Sequence, residues 1–484
     1  MPHIKLRIVI AIALLIGVAG CQAPEIYQNK PLIDRAHGGQ ATLGSGGYRL
    51  PAMPSSQSSP EVMLFLAFSG GGKRSSAFSY GVLRGLRDIP VGPSEKPHRL
   101  LDEVDGIGSV SGGSFTAAFY GLHRDRIFTD FERDFLKQDV NSYIWGLYLL
   151  PWHWTWMFYP RYGTNDAMQK LYDELMFHGA TYADLIKNGP PVIWLGATDI
   201  SYGRVFTFNQ DTFDLICSDL DRLPVARAVA ASNGLPILFS PITLENHAKE
   251  CDGYRPEWVN RLVETDEDAA IRRRLLAQAA EDYLDSSRTR YLHLSDGGIV
   301  DNLALRGLIN QIIQFDDDPQ FQSTQRLELM RRILVISVDG QAAQDTSLAR
   351  EGIVTGLGQI ISAVSGSQID SYNFETMSVM RELIEQTVGR IKTMRCDIAP
   401  VIDGHPCDDV EGYLVHVSLG GIGDEATRKR LQSIPTGLTI ADDDVDALVA
   451  AGEAQIKASP VVAKIVESLR GLRPLSISSD ETTH

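Results

Sequence analysis

The chain has 484 residues, 44% hydrophobic and 22% charged, the proportions of a globular protein with length for one large domain or two. Its formal charge of −16 excludes the concentrated basic surface that a phosphate backbone requires, so no nucleic-acid partner is expected. The same charge excludes electrostatic attachment to an anionic bilayer and leaves an apolar or covalent route for any membrane contact.

The N-terminus offers the covalent route. Lys5 and Arg7 precede an apolar run over residues 8–19, which ends in Val18-Ala19-Gly20-Cys21. A short basic segment, a short apolar segment and small residues before a cleavage point describe a secretory signal over residues 1–20 rather than a membrane span. The residues before Cys21 resemble a bacterial lipobox, which implies a lipidated Cys21 anchored to a membrane of the bacterial cell envelope. Gln22 stands where an Asp would resemble an inner-membrane retention signal, which favours the outer membrane. The alternative is an uncleaved signal anchor with an incidental cysteine. Cleavage would remove Lys5 and Arg7 and take the charge from −16 to −18. Residues 21–60 are polar and rich in Gly, Ser and Pro, and read as a flexible tether spanning about 35 Å. The competing reading packs part of this segment along the domain surface.

Ordered sequence begins with an apolar run over 62–68, bounded by glycines as a buried strand is. The pattern predicts a helix over 75–86, a strand over 104–110 ending in a turn at Ser111, and a helix over 113–122. A strand over 191–200, a helix over 225–231 and strands over 290–295 and 332–338 follow. Strands alternating with helices predict an α/β fold with a largely parallel central sheet. Residues 264–285 read as an exposed charged helix, and 442–472 as two short helices. The main domain is therefore placed at 61–440, with C-terminal helices and a polar tail at 441–484. Beyond Cys21 there are four cysteines, an even number that permits bridges in an oxidising compartment. Sequence proximity favours Cys217 with Cys251 and Cys396 with Cys407 among the three possible pairings. No Cys/His spacing matches a closed zinc site, and neither a metal nor a cofactor is expected.

Three pieces carry chemistry. Ser69-Gly70-Gly71-Gly72-Lys73-Arg74 lies between a strand and a helix, where glycines let the backbone approach a ligand and amide N–H groups at a helix start hold an anion. It is not a Walker loop: Ala67 stands where that motif needs its first Gly, and Arg74 where it needs Ser or Thr. Next, Gly108-Ser109-Val110-Ser111-Gly112-Gly113-Ser114 places a serine on a sharp strand-to-helix turn, which needs small neighbours. Centring G-x-S-x-G on Ser111 puts Gly113 in place and Ser109 where the first Gly belongs. Finally, Leu294-Ser295-Asp296-Gly297-Gly298 ends an apolar strand in an aspartate aimed into a cleft by a tight turn. A buried carboxylate there is competent to take a serine proton. Asp301, shortly after, reads as a helix N-cap.

In this order, with the stretch 226–236 that leads through Ser232 to Pro236, these pieces resemble the patatin-like phospholipase family over about residues 64–308. The stretch Ile434-Pro435-Thr436-Gly437 resembles the closing segment of bacterial members. Ser109 and Ser75 depart from the family pattern without removing a catalytic group. The resemblance implies a three-layer α/β/α hydrolase with a Ser–Asp dyad and no histidine. Ser111 is the implied nucleophile and Asp296 its base, and the N–H groups around Gly70, Gly71 and Gly72 form the oxyanion hole. Arg74 would stabilise that loop or meet a phosphate head group, and Gly113, Gly297 and Gly298 would support the turns. The implied substrate is a phospholipid or another acyl ester. Competing readings are an α/β-hydrolase triad using His405 or His416, an acyltransferase built on the same dyad, and a non-catalytic lipid-binding lipoprotein. Residues 143–159, with Tyr143, Trp145 and six further aromatics, suit an acyl site or a bilayer interface.

Overall fold

The computed structural model describes residues 27–32, 46–50, 59–92, 97–149, 162–236, 238–251, 253–263, 271–315, 318–342 and 357–469. Cys21, the expected signal and most of the aromatic stretch lie outside them.

An eight-stranded sheet organises the chain. Its strands are β1 (Val62–Phe68), β2 (Val104–Val110), β3 (Val192–Asp199), β4 (Arg204–Phe208), β5 (Ile242–Glu245), β6 (Tyr291–Ser295), β7 (Arg332–Asp339) and β8 (Glu411–Ser418). β8, β7, β1, β2 and β3 lie side by side in parallel. β1 is a continuous apolar run covered by helices on both faces, and β7 is apolar but for Arg332, Ser337 and Asp339. One face carries α1 (Gly72–Arg87), α2 (Gly112–His123) and α3 (Val225–Ser232). The other carries α4 (Gly298–Asp301), α5 (Leu305–Phe315) and α6 (Leu357–Ile398).

The antiparallel half of the sheet decides where the chemistry sits. Val192–Gly196 of β3 pair in parallel with the last residues of β2. Leu195–Asp199 pair with β4 along the opposite edge. Thr198 and Asp199 also pair antiparallel with Ser295 and Leu294 of β6. With one edge of β3 taken by β4, β6 must occupy the edge that β2 has just vacated. β2 ascending and β6 descending therefore run along one edge and end facing each other.

The sequence boundaries hold to within three residues for every element it predicts in the core. The strands β4, β5 and β8 and the long helix α6 were not expected. Nor was the seating of the last helices. α7 (Asp442–Lys457), expected in a separate C-terminal unit, buries Val445, Leu448, Val449 and Ile456 against α1. The two helices approach through small residues: a Cβ on Gly81 would lie 2.1 Å from the Val449 carbonyl oxygen, and one on Gly452 2.3 Å from that of Phe78. α7 thus belongs to the catalytic body, followed by α8 (Pro460–Leu469).

Two stretches of the expected tether are likewise packed. Asn29 hydrogen-bonds Ser218 and Glu245, and the buried Tyr48 accepts from the Ile193 N–H. Arg49 is buried in ion pairs with Asp211 and Asp214, so its desolvated charge is met on both sides. Of the expected charged helix at 264–285, residues Ile271–Leu284 are helical, with Ala277, Ala280 and Tyr283 buried. The disulfides join Cys217 to Cys251 and Cys396 to Cys407.

The α1–α7 crossing yields a prediction of opposite sign to helix propensity. Ala in place of Gly in a helix gains about 1 kcal/mol by propensity alone. At position 81 the added methyl has backbone in its way, so Gly81→Ala is expected to destabilise the protein by about 1–3 kcal/mol in urea unfolding. An unchanged or raised midpoint would show that the helices are not in contact there.

Candidate active site

Ser111 follows the last residue of β2 and opens α2. Its backbone sits at φ 48°, ψ −125°, a conformation that costs a non-glycine residue about 1–3 kcal/mol and occurs where a sharp turn must present a side chain. Small neighbours permit the turn: a Cβ on Gly113 would lie 2.5 Å from the Phe68 carbonyl oxygen, and one on Gly112 2.1 Å from that of Gly72. Three hydroxyl contacts hold the turn from below. The Ser111 N–H donates to Ser232 Oγ at 2.9 Å, Ser232 Oγ donates to the Gly196 carbonyl at 2.6 Å, and Ser114 Oγ lies 2.8 Å from Ser232 Oγ.

Asp296 follows the last residue of β6 and faces Ser111. Ser111 Oγ donates to Asp296 Oδ2 at 2.8 Å, while Oδ1 accepts the Gly298 N–H at 2.8 Å. The Asp296 backbone is pinned on both sides, its N–H to the Gly234 carbonyl and its carbonyl to Thr198 Oγ1. Asp296 is only 7% exposed. Burial pushes its carboxyl up from 3.8 to about 6, against the partial opposition of the bonds from Ser111 and Gly298. That value places the group near neutrality, where a base can both accept and return a proton.

The glycine loop closes the third side. Gly71 at φ 133° and Gly72 at φ 60° adopt backbone that side chains rarely take, and they turn the chain from β1 into α1 beside the serine. A Cβ on Gly70 would lie 3.2 Å from Ser111 Cβ. The Gly70 N–H is spent on the Asn302 carbonyl. Those of Gly71 and Gly72 have no partner among the described residues and lie at the positive end of α1. An anion formed at Ser111 can be received by these two groups. Of the three expected glycines, Gly70 thus positions the loop and the other two are free to donate.

Arg74 is 1% exposed and reaches neither surface nor cleft. Its guanidinium donates to the Gly340 carbonyl at 2.7 Å, to Thr436 Oγ1 at 2.9 Å and to the Ile434 carbonyl. Burial lowers its pKa to about 10. Of the two roles expected, only the bracing of the loop fits; a head-group contact does not. The Lys73 N–H adds a bond to the Gly437 carbonyl at 2.8 Å, so the closing segment is a wall of the loop.

Asp301 receives the Leu305 and Gly307 N–H groups and caps α5, as expected. His405 Nδ1 lies 4.0 Å from Asp409 and His416 Nε2 3.9 Å from Asp339. Neither, nor any other described histidine, bonds Ser111 or Asp296. Sequence reasoning missed Asn302 as a loop anchor and Ser232 as the support of the elbow, although Ser232 lay inside a recognised stretch.

The sequence model of the patatin-like phospholipase family matches residues 66–309, half of the chain. The chain belongs to the patatin-like phospholipase family. Among solved structures, human GIVD cytosolic phospholipase A2 aligns with 85% of this chain and 62% of its own, at 11% identity and a TM-score of 0.36. The same human enzyme in complex with methyl gamma-linolenyl fluorophosphonate aligns with 85% of this chain and 59% of its own, at 12% identity and a TM-score of 0.32. The chain therefore spans about six tenths of the length of these structures. No curated protein sequence matches the chain.

The elbow's support is open to test. Ser232→Ala leaves the half-buried Ser111 N–H without its acceptor, a loss of about 1 kcal/mol. The variant is expected to unfold at lower denaturant and to react more slowly at Ser111. Wild-type stability and rate together would show that the hydroxyl holds nothing.

Proposed function

We propose that the protein is a serine lipid acyl hydrolase of the phospholipase A, lysophospholipase or esterase type. The observation that carries this reading is the direct 2.8 Å bond from Ser111 Oγ to Asp296 Oδ2 beside two undirected N–H groups. In the proposed reaction Ser111 Oγ attacks the acyl carbonyl while Asp296 Oδ2 takes its proton. The N–H groups of Gly71 and Gly72 receive the oxyanion. Collapse breaks the ester bond, and Asp296 returns the proton to the departing alkoxide, leaving an acyl-serine. Asp296 then takes a proton from water, whose oxygen attacks the acyl carbonyl, and Ser111 departs with that proton as the free acid is released.

A lipid substrate is supported by the surface near the site. Leu235, one residue after the glycine whose carbonyl holds Asp296, is exposed, as is Leu238. Trp145 is 63% exposed on the helix Val140–Leu149, and an indole with its polar edge suits a bilayer interface. No helix among the described residues is long and apolar enough to cross a membrane. Membrane attachment is assigned to lipidated Cys21, which would hold the enzyme at the bacterial outer membrane.

Labelling with a fluorophosphonate tests the reading. Wild type is expected to label and Ser111→Ala and Asp296→Asn to fail, while a His405→Gln/His416→Gln double variant labels as wild type. Labelling of Ser111→Ala would refute the nucleophile, and loss of labelling in the double histidine variant would restore a triad. The reaction is expected to accelerate as pH rises through about 6, because only ionised Asp296 accepts the proton. A rate flat from about pH 5 to 8 would exclude this carboxylate as the base.

Stability should move the other way. The carboxyl binds its proton more tightly folded, at about 6, than unfolded, at 3.8. Its contribution to the native state is therefore full below about pH 4 and is lost as pH rises through about 6. The loss amounts to roughly 3 kcal/mol at most. Asp296→Asn removes the buried charge and is expected to be more stable than wild type at about pH 8, the gain shrinking towards pH 4. Equal stability at both pH values would show that Asp296 is not desolvated.

A further inference from the structure

On the face of the sheet opposite α2, between β1, β3 and the helices α5 and α6, lies a cavity of about 170 Å³. Met63 and Phe65 of β1, Trp194 of β3, Leu308 and Ile312 of α5 and Ile391 of α6 belong to a mostly apolar wall. Gly106 of β2 makes room for the Trp194 ring. A Cβ on Gly106 would lie 2.5 Å from the Trp194 ring.

Gln322, Thr387 and Arg390 also line the cavity, and two buried polar atoms of the lining residues are left unpartnered. Trp194 Nε1 is a donor and Gln311 Oε1 an acceptor, on side chains of residues 3% and 5% exposed, and neither has a hydrogen-bond partner. Each such group costs about 1–3 kcal/mol, and buried polar atoms in native proteins are satisfied almost without exception. One unpartnered donor and one unpartnered acceptor in a mostly apolar lining match a group that both accepts and donates, which a hydroxyl or an amide does and a carboxylate does not. Arg390 is the sole charged residue of the lining. It also lines, with Met394, a shallow groove on the outer side of α6, and so marks the way in.

We propose that this cavity is a binding site for a small uncharged amphiphile with a hydroxyl or amide group. A cavity of this size takes an apolar body on the order of six carbons, since one of about 150 Å³ holds benzene. The site is distinct from the cleft at Ser111. The elbow helix α2 packs on the opposite face, and at Gly108 the carbonyl of Ala304 comes within 2.9 Å of a Cβ position, closing the sheet between the two.

The probe is 1-hexanol, added to the full chain and followed by thermal unfolding and by calorimetric titration. Saturable binding with a raised midpoint is expected. Gln311→Leu keeps the volume, removes the acceptor and should weaken binding about tenfold. Ile312→Phe fills the cavity and should abolish it. Ser111→Ala should bind 1-hexanol as wild type, which separates this site from the cleft whatever role the serine plays. Absence of saturable binding to wild type overturns the proposal, as does equal affinity in Gln311→Leu and Ile312→Phe. Hexanoate binding as tightly as 1-hexanol at about pH 8 would overturn the uncharged ligand class. Water satisfying both atoms in a crystal grown with 1-hexanol would do the same for the site.

Discussion

Strand β3 runs three residues beyond the end of β2, and that overhang has to be paired. An unpaired edge inside a covered sheet would leave backbone donors and acceptors without water or partner. β6 fills it from the opposite direction, and the Thr198–Ser295 and Asp199–Leu294 pairs fix how far β6 advances. The gap left between the two strand ends is about the reach of one serine and one aspartate side chain. The distance between the two functional groups is therefore set by sheet register rather than by loops. Register is a discrete quantity: a slip of one residue would carry Asp296 to the other face of the sheet.

Around that junction the protein tolerates features that cost stability elsewhere. Ser111 holds a strained backbone, and Asp296 holds a carboxylate out of water. Both are compensated by short polar bonds whose other ends are rigid. Ser232 ties the serine's N–H to β3, and Gly234 and Thr198 fix the aspartate's backbone to α3 and β3. The same low polarity that raises the carboxyl strengthens its attraction for a hydroxyl proton.

Much of this was legible in residues. The continuous apolar run of β1 announces a strand buried on both faces, and the glycines at 70–72 and 112–113 announce close backbone approach. What sequence could not show is contact at long range. β8 begins with Glu411 and carries polar residues on an edge, so its pattern is weak. Tyr48 and Arg49 sit in a Gly/Ser-rich stretch that composition assigns to linker, yet their partners Ile193, Asp211 and Asp214 lie far along the chain. Arg74 is expected to brace the loop or meet a head group, and nothing near it in sequence points to its acceptors. Those acceptors, the Gly340 and Ile434 carbonyls and Thr436 Oγ1, lie far along the chain. The roles of Ser232 and Asn302 depend on the same kind of closure.

The reach of Arg74 sets an order of assembly. Two of its bonds close on Ile434 and Thr436, separated from it by 360 and 362 residues. A nascent chain made as far as Ser433 already contains the serine, the aspartate and the glycine loop, but not the wall against which that loop is braced. The last bonds that brace the glycine loop thus come from the segment made just before α7, which packs against α1. A chain cut short after β8 would keep Ser111, Asp296 and the glycine loop, with Arg74 held at the Gly340 carbonyl alone.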